Sequence, residues 1–203
     1  MPIDNKVAPR PSQEQRSEAT RARLIDAAIS CIAEKGYVGA SSAEISERAG
    51  VSSGARVHHF KAKLDLVIAA VRFAYEDSAA TSTKASLTKT AADDPLHAYV
   101  SDAYRFYSEP RYLMHHEVIN AARTSQVLMD AVLPAADAYR SAVDTAWLAT
   151  FERAGKSHAW SIAAMQLSVV FVRGLAQGSF LRGRAHDAER LRQWEQVMRS
   201  YTD

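Results

Sequence analysis

Apolar residues recur along most of this chain at the spacing of amphipathic helices, and nowhere does strict alternation mark a strand. Leu24, Ala28, Cys31 and Ile32 share one face of a first helix, expected from about Glu18 to Lys35 and ended by Gly36. Tyr37 and Val38 pack the link into a second helix, which carries Ile45 and Ala49 on one side. Gly50 supplies the positive φ of a tight turn, and Val51 plugs that turn with an apolar side chain. A third helix then starts at Ser52 or Ser53 and runs through Phe60. Leu64, Val67, Ala70, Val71 and Ala74 form the stripe of a long fourth helix.

From Ala79 to Asp94 the pattern turns small and polar, which reads as a helix end and a loop. Asp93 or Asp94 then caps a helix opening at Pro95, with Leu96, Tyr99, Val100, Ala103 and Tyr107 as its stripe. Further helices are expected over about Arg111 to Ala122 and from Ser125 to Ala154, the latter kinked or split by Pro134. Ser157 to Arg182 is apolar almost all round, the pattern of a helix covered on both sides, and Ala185 to Tyr201 closes the chain. The polar segment Met1 to Ser17, with Pro2, Pro9 and Pro11, reads as a flexible arm, more an inert tail than one whose Lys6, Arg10 and Arg16 reach a minor groove. The expectation is an all-α chain of about nine helices. Its parts are an arm (1–17), a three-helix helix-turn-helix domain (18–65), and a helical bundle (66–203).

The segment from Ser41 to Phe60 carries the chemistry. Ser41 and Glu44 stand at the spacing of a capping box, and two short helices joined by a Gly turn form a helix-turn-helix. Its second helix is shaped to lie in a DNA major groove. No acid occurs between Arg48 and Leu64, whereas Arg48, Arg56, Lys61 and Lys63 are basic and His58 and His59 join them when protonated. Lys61 and Lys63 precede the fourth helix, where a phosphate would sit. Ser53, Gly54 and Ala55 let the helix start approach DNA closely, and Ser41, Ser42 and Ser52 complete the candidate contact set.

Three stretches together resemble the N-terminal domain of TetR/AcrR-family repressors: R-L-I-D-A-A-I-S-C-I-A-E-K-G-Y, A-S-S-A-E-I-S-E-R-A-G-V-S-S-G and H-H-F-K-A-K-L-D-L-V. The resemblance runs without a gap from about Arg21 to Ala70. It implies a dimer bound to double-stranded operator DNA, with the bundle (66–203) as the ligand-binding and dimerisation domain and the last two helices pairing with their copies in a four-helix interface. Val169, Leu191, Trp194 and Met198 are the interface candidates. Two departures stand out. Many family members carry Leu-Tyr where this chain has Arg56 and Val57, and that Tyr contacts a phosphate; Val57 has no hydrogen bond to donate. Ala62 stands where Ser or Thr caps the next helix.

Composition adds little beyond consistency. A chain of 203 residues, 47% hydrophobic, has room for a small reading head and a larger body. The net charge of +2 is placed unevenly: residues 1–65 hold ten Lys/Arg against eight Asp/Glu, and the remainder holds fifteen of each. The single Cys31, on an apolar face, reads as a buried thiol. No signal-like or membrane-spanning stretch stands out, so the chain is expected in the cytoplasm.

Effector candidates are aromatic or polar residues close to apolar stripes: Tyr104, Tyr107, His115, His116, Asn120, Arg123, Trp147, Gln166 and Arg173. Arg173 is expected to pair with an acid such as Glu117 or Asp144, or with an anionic ligand. The adjacent pairs His58–His59 and His115–His116 point to different sides of a helix, and no Cys/His spacing fits zinc, so neither metal nor cofactor is expected. No catalytic motif is present. The reading is therefore a ligand-responsive, dimeric repressor that a small molecule releases from an inverted repeat. The competing readings are a helical binding protein without sequence-specific DNA affinity and, further off, an all-α enzyme using His116 and Glu117.

Overall fold

The computed structural model describes residues 12–201, the side chain of Phe180 excepted. Its helices are α1 (Gln13–Gly39), α2 (Ser42–Arg48), α3 (Ser53–His59), α4 (Lys63–Ser86), α5 (Lys89–Asp93), α6 (Pro95–Ser108), α7 (Pro110–Ala122), α8 (Gln126–Arg153), α9 (His158–Arg182) and α10 (Asp187–Ser200). The described residues thus form ten helices against about nine expected, and no strand occurs among them.

The start of α1 corrects the arm. Ser12 accepts from the Gln15 amide at 3.1 Å while Gln15 accepts from the Ser12 amide at 2.8 Å, a capping box that begins the helix at Gln13 rather than Glu18. Arg16 therefore sits on α1, while Lys6 and Arg10 lie outside the described residues. Gly36 breaks the helix as expected, at φ 73 and ψ 168, a conformation essentially restricted to glycine.

The second correction concerns α4, which does not end near Ala79. Ser78, Ser82 and Ser86 lie four residues apart on its buried face, so hydroxyls replace methyls along the stripe and let α8 pack closely. Two of them are tied to neighbouring helices: Trp147 Nε1 donates to Ser82 Oγ at 2.9 Å, Ser82 donates to Asp102, and Thr150 Oγ1 donates to the Ser86 carbonyl at 3.0 Å. The polar remainder forms the short α5, capped by Thr88. Asp94 caps α6 through the His97 amide at 3.1 Å, with Pro95 in the first turn. Pro134 does not split α8, which runs unbroken from Gln126 to Arg153.

Three long pairings organise the fold: α4 lies along α8, α6 along α9, and α1 along α7. A continuous buried cluster runs from Leu24, Ile32 and Ile45 in the head through Leu66 and Val71 to Val100, Trp147 and Phe151. By length and composition α9 would span a bilayer. In the fold one stripe of it, Ala164, Met165, Ser168, Val172 and Ala176, is buried instead. The opposite stripe, with Leu167, Val170 and Gly174, is open. The all-round apolarity of this helix therefore divides into a core side and an uncovered side.

Candidate nucleic-acid interface and ligand cavity

Local chemistry builds the helix-turn-helix. Ser41 accepts from the Glu44 amide at 3.2 Å, but Glu44 leaves the capping box half made because its carboxylate pairs with Lys35. Gly50, at φ 61, closes α2: its amide reaches the Glu47 carbonyl at 3.0 Å, and the Val51 amide reaches that of Ser46 at 2.9 Å. Ser52 then caps α3 through the Ala55 amide at 3.2 Å. The missing cap at Ala62 is offset from the other side, since Asp65 accepts from the Ala62 amide at 2.9 Å.

Ser53, Gly54, Val57, His58 and Lys61 are exposed and share the outer face, with Ser52 at its start; Ala55, Arg56 and His59 are half-buried. Ser41 is exposed, while Ser42 is half-buried and gives its carbonyl to the Ser46 hydroxyl at 2.8 Å. Three expected cations are engaged within the chain. Arg56 donates to the Phe60 carbonyl at 3.0 Å, folding along the carbonyl end of its own helix. Lys63 donates to the Tyr37 carbonyl with its ammonium 4.5 Å from the Tyr37 ring centre, and burial lowers its pKa. Arg48 forms a two-pronged pair with Glu34 at 2.6 and 2.7 Å. Sequence reasoning missed Arg21 and Arg23. Both are exposed on α1, Arg21 with its guanidinium 5.5 Å from the Phe60 ring centre and Arg23 against Gly50, so they flank α3 at both ends. The helical period puts them on the solvent side of α1, but their approach to α3 depends on tertiary packing.

The effector candidates do not converge on one space. Tyr104 donates to Asp187 at 2.6 Å and ties α6 to α10. Trp147 is fully buried against Ser82. Asn120 meets His116 at 3.1 Å on an outer side, and Arg123 and Gln166 are exposed. Arg173 pairs with neither Glu117 nor Asp144; it donates to the Tyr107 hydroxyl at 3.3 Å and lies over that ring. Tyr107 and His115 belong to one aromatic cluster with Tyr75, Phe106, Tyr112 and Tyr139.

Within that cluster His115 is exceptional. It is 1% exposed, stacks on Tyr75 with ring centres 3.7 Å apart, and finds a hydrogen-bond partner for neither nitrogen. It borders a cavity of about 10 Å³ whose other walls are Val71, Tyr75, Val118, Ile119, Val132 and Ala136. A wider depression of about 300 Å³ lies at Ser86, Thr88, Thr150 and Arg153, but Thr150 and Arg153 are already hydrogen-bonded there.

Burial, reinforced by Arg111, pushes the His115 pKa down from 6.5 to about 3. Between those values the unfolded chain binds a proton that the folded chain refuses, so stability rises with pH across the window and is lost on acidification. The expected slope from this residue is about 1.4 kcal/mol per pH unit. Urea unfolding of the parent and His115→Phe between pH 7 and pH 4.5 measures it as their difference; parallel curves would refute it.

The interface candidates also sort out. Met198 is buried within its own chain, and Trp194 stacks on Phe171 at 4.6 Å while donating to Ser168 at 2.9 Å. Val169 and Leu191 are half-buried against the same core. These residues hold α10 on α9. Exposed apolar residues include Ile162, Leu167, Val170 and Leu181 on α9 and Val197 on α10. Among the described residues no three His, Cys, Asp or Glu side chains gather as a metal site requires.

Residues 24–70 match the model of the bacterial regulatory proteins of the tetR family. Over 183 residues the chain is 30% identical to the HTH-type transcriptional regulator CymR of Pseudomonas putida, covering 90% of each protein. Its fold is shared with a TetR-family member from Streptomyces coelicolor (TM-score 0.62, 21% identity, 88% of this chain and 97% of that one). It is also shared with the multidrug binding protein EbrR solved with ethidium (TM-score 0.60, 23% identity, 88% and 97% covered).

Proposed function

Because the chain belongs to the TetR family of bacterial transcriptional regulators, we propose that it works as a cytoplasmic repressor, two copies holding an inverted-repeat operator until a small molecule releases them. Residues 12–65 serve as the reading head and 66–203 as the body. The observation that carries the reading is the outer face of α3: Ser53, Gly54, Val57, His58 and Lys61 point outward together, free of acids and flanked by Arg21 and Arg23. A helix so dressed meets base edges through Val57 and His58, Val57 suiting a thymine methyl, and meets phosphates through the flanking cations. The open apolar stripe of α9 and Val197 of α10 supply the contact between copies.

Selection of bound duplexes from a random pool, followed by fluorescence anisotropy, tests the head. A palindromic site should emerge and bind at least a thousandfold more tightly than its scrambled version. Arg21→Ala and Lys61→Ala should each reduce the salt slope by about one unit, whereas His58→Ala should change the preferred sequence. Lys63→Ala should leave the slope nearly unchanged, its ammonium being engaged by Tyr37. Equal affinity for selected and scrambled DNA would favour the alternative, a helical ligand-binding protein without operator specificity.

A further inference from the structure

His115 leaves two buried nitrogen atoms unbonded in a wall that is otherwise apolar except for the Tyr75 phenol. Such an omission is costly unless something fills it. Water is a poor candidate, because a space of about 10 Å³ sits at the lower limit for one molecule. We propose that this cavity is the anchoring end of the effector site and takes a small, uncharged, largely hydrocarbon molecule carrying one hydroxyl group, a phenol being the simplest example. The assignment rests on the regulator reading above and specifies its ligand.

Charge narrows the class. No acid lines the cavity to receive a cation. An anion would shed its hydration without a counter-charge in the wall, since Arg173 lies on Tyr107 and Arg111 is held by Asp77. The imidazole is neutral in the folded chain and therefore offers one N–H and one lone pair. A hydroxyl complements either, giving a proton to the bare nitrogen or accepting the N–H. The aliphatic side chains Val71, Val118, Ile119, Val132 and Ala136 suit a hydrocarbon body.

The cavity also has a means of growing. Val132 and Ala136 flank Pro134, which has no amide hydrogen to give the Asp130 carbonyl. The α8 wall can therefore bend outward there without breaking a backbone hydrogen bond. The opposite wall, Val71 and Tyr75, belongs to α4, whose first turn follows directly from α3. A guest that widens the space thus presses on the helix carrying the reading head.

Calorimetric titration of the full-length protein with 4-methylphenol, toluene and 4-methylbenzoate separates hydroxyl, hydrocarbon and anion on one frame. The expected result is tightest binding of 4-methylphenol, a loss of about tenfold for it alone in His115→Phe, and a movement of the His115 ring nitrogen resonances when it binds the parent protein. The nitrogen resonances keep the test decisive if the variant does not fold. Tighter binding of 4-methylbenzoate, or 4-methylphenol binding with the His115 resonances unmoved, would overturn the assignment. Titrations repeated on the operator complex distinguish the two readings. If 4-methylphenol engages His115 without weakening DNA binding, the cavity assignment holds and its regulatory role fails. Release of DNA by another compound that leaves His115 untouched keeps the regulator and removes this site.

Discussion

Val170→Glu is expected to convert the protein to a monomer and to lower operator affinity by a hundredfold or more. Val170 is 70% exposed at the middle of the open α9 stripe, so the parent gains little from it within one chain. In a helix-on-helix interface the same position is dry, and two copies of a glutamate would face each other without a cation. Linking two heads contributes a factor of 10² to 10⁴ to affinity through effective concentration alone, and this is what the monomer forfeits. Light scattering and anisotropy on the same samples provide the check. A dimer that survives the substitution, or a monomer that binds the full operator as tightly as the parent, would exclude this face as the interface. Val169→Glu makes a useful contrast: Val169 packs against its own core, so that change should cost folding stability as well.

The largest stability effect is expected at Trp147. Its side chain is fully buried, meets the Tyr99 ring edge-on at 5.4 Å, and donates to Ser82, which in turn serves Asp102 and, through it, Arg105. Trp147→Ala should cost about 3–5 kcal/mol and lower the melting temperature by about 10 °C. Trp147→Phe keeps most of the apolar contact but leaves Ser82 without its donor, at a cost of about 1–2 kcal/mol. Urea unfolding with unchanged m-values would measure both. A loss below 1 kcal/mol for the alanine variant would mean that α8 does not hold α4 through this residue.

What the sequence made legible was what nearest neighbours along the chain determine. The Gly50 turn, the Ser52 cap and the break at Gly36 each involve residues within a few positions of one another. The extent of α4 was illegible because Ser82 and Ser86 look polar to a hydropathy pattern, and only the partners supplied by α6 and α8 make them interior residues. The same limit applies to the candidate site. That Lys61 faces outward while Lys63 folds onto Tyr37 depends on where α1 ends relative to α4, a separation of 26 residues. His115 could be named as a candidate, but its lack of partners is a property of three helices together.

The seam between head and body has a practical consequence. Glu117 of α7 places its carboxylate where a side chain on Gly36 would be, α1 lies along α7, and α4 crosses the boundary as one helix. This head is not a cassette. A chimera that joins residues 12–65 to a foreign body would strip α1 of its α7 cover and cut α4 a few residues after its start. Exchanging operator specificity between relatives should therefore graft the outward side chains of α3 into an intact chain, leaving Gly36, Glu117 and the α1–α7 seam as they are.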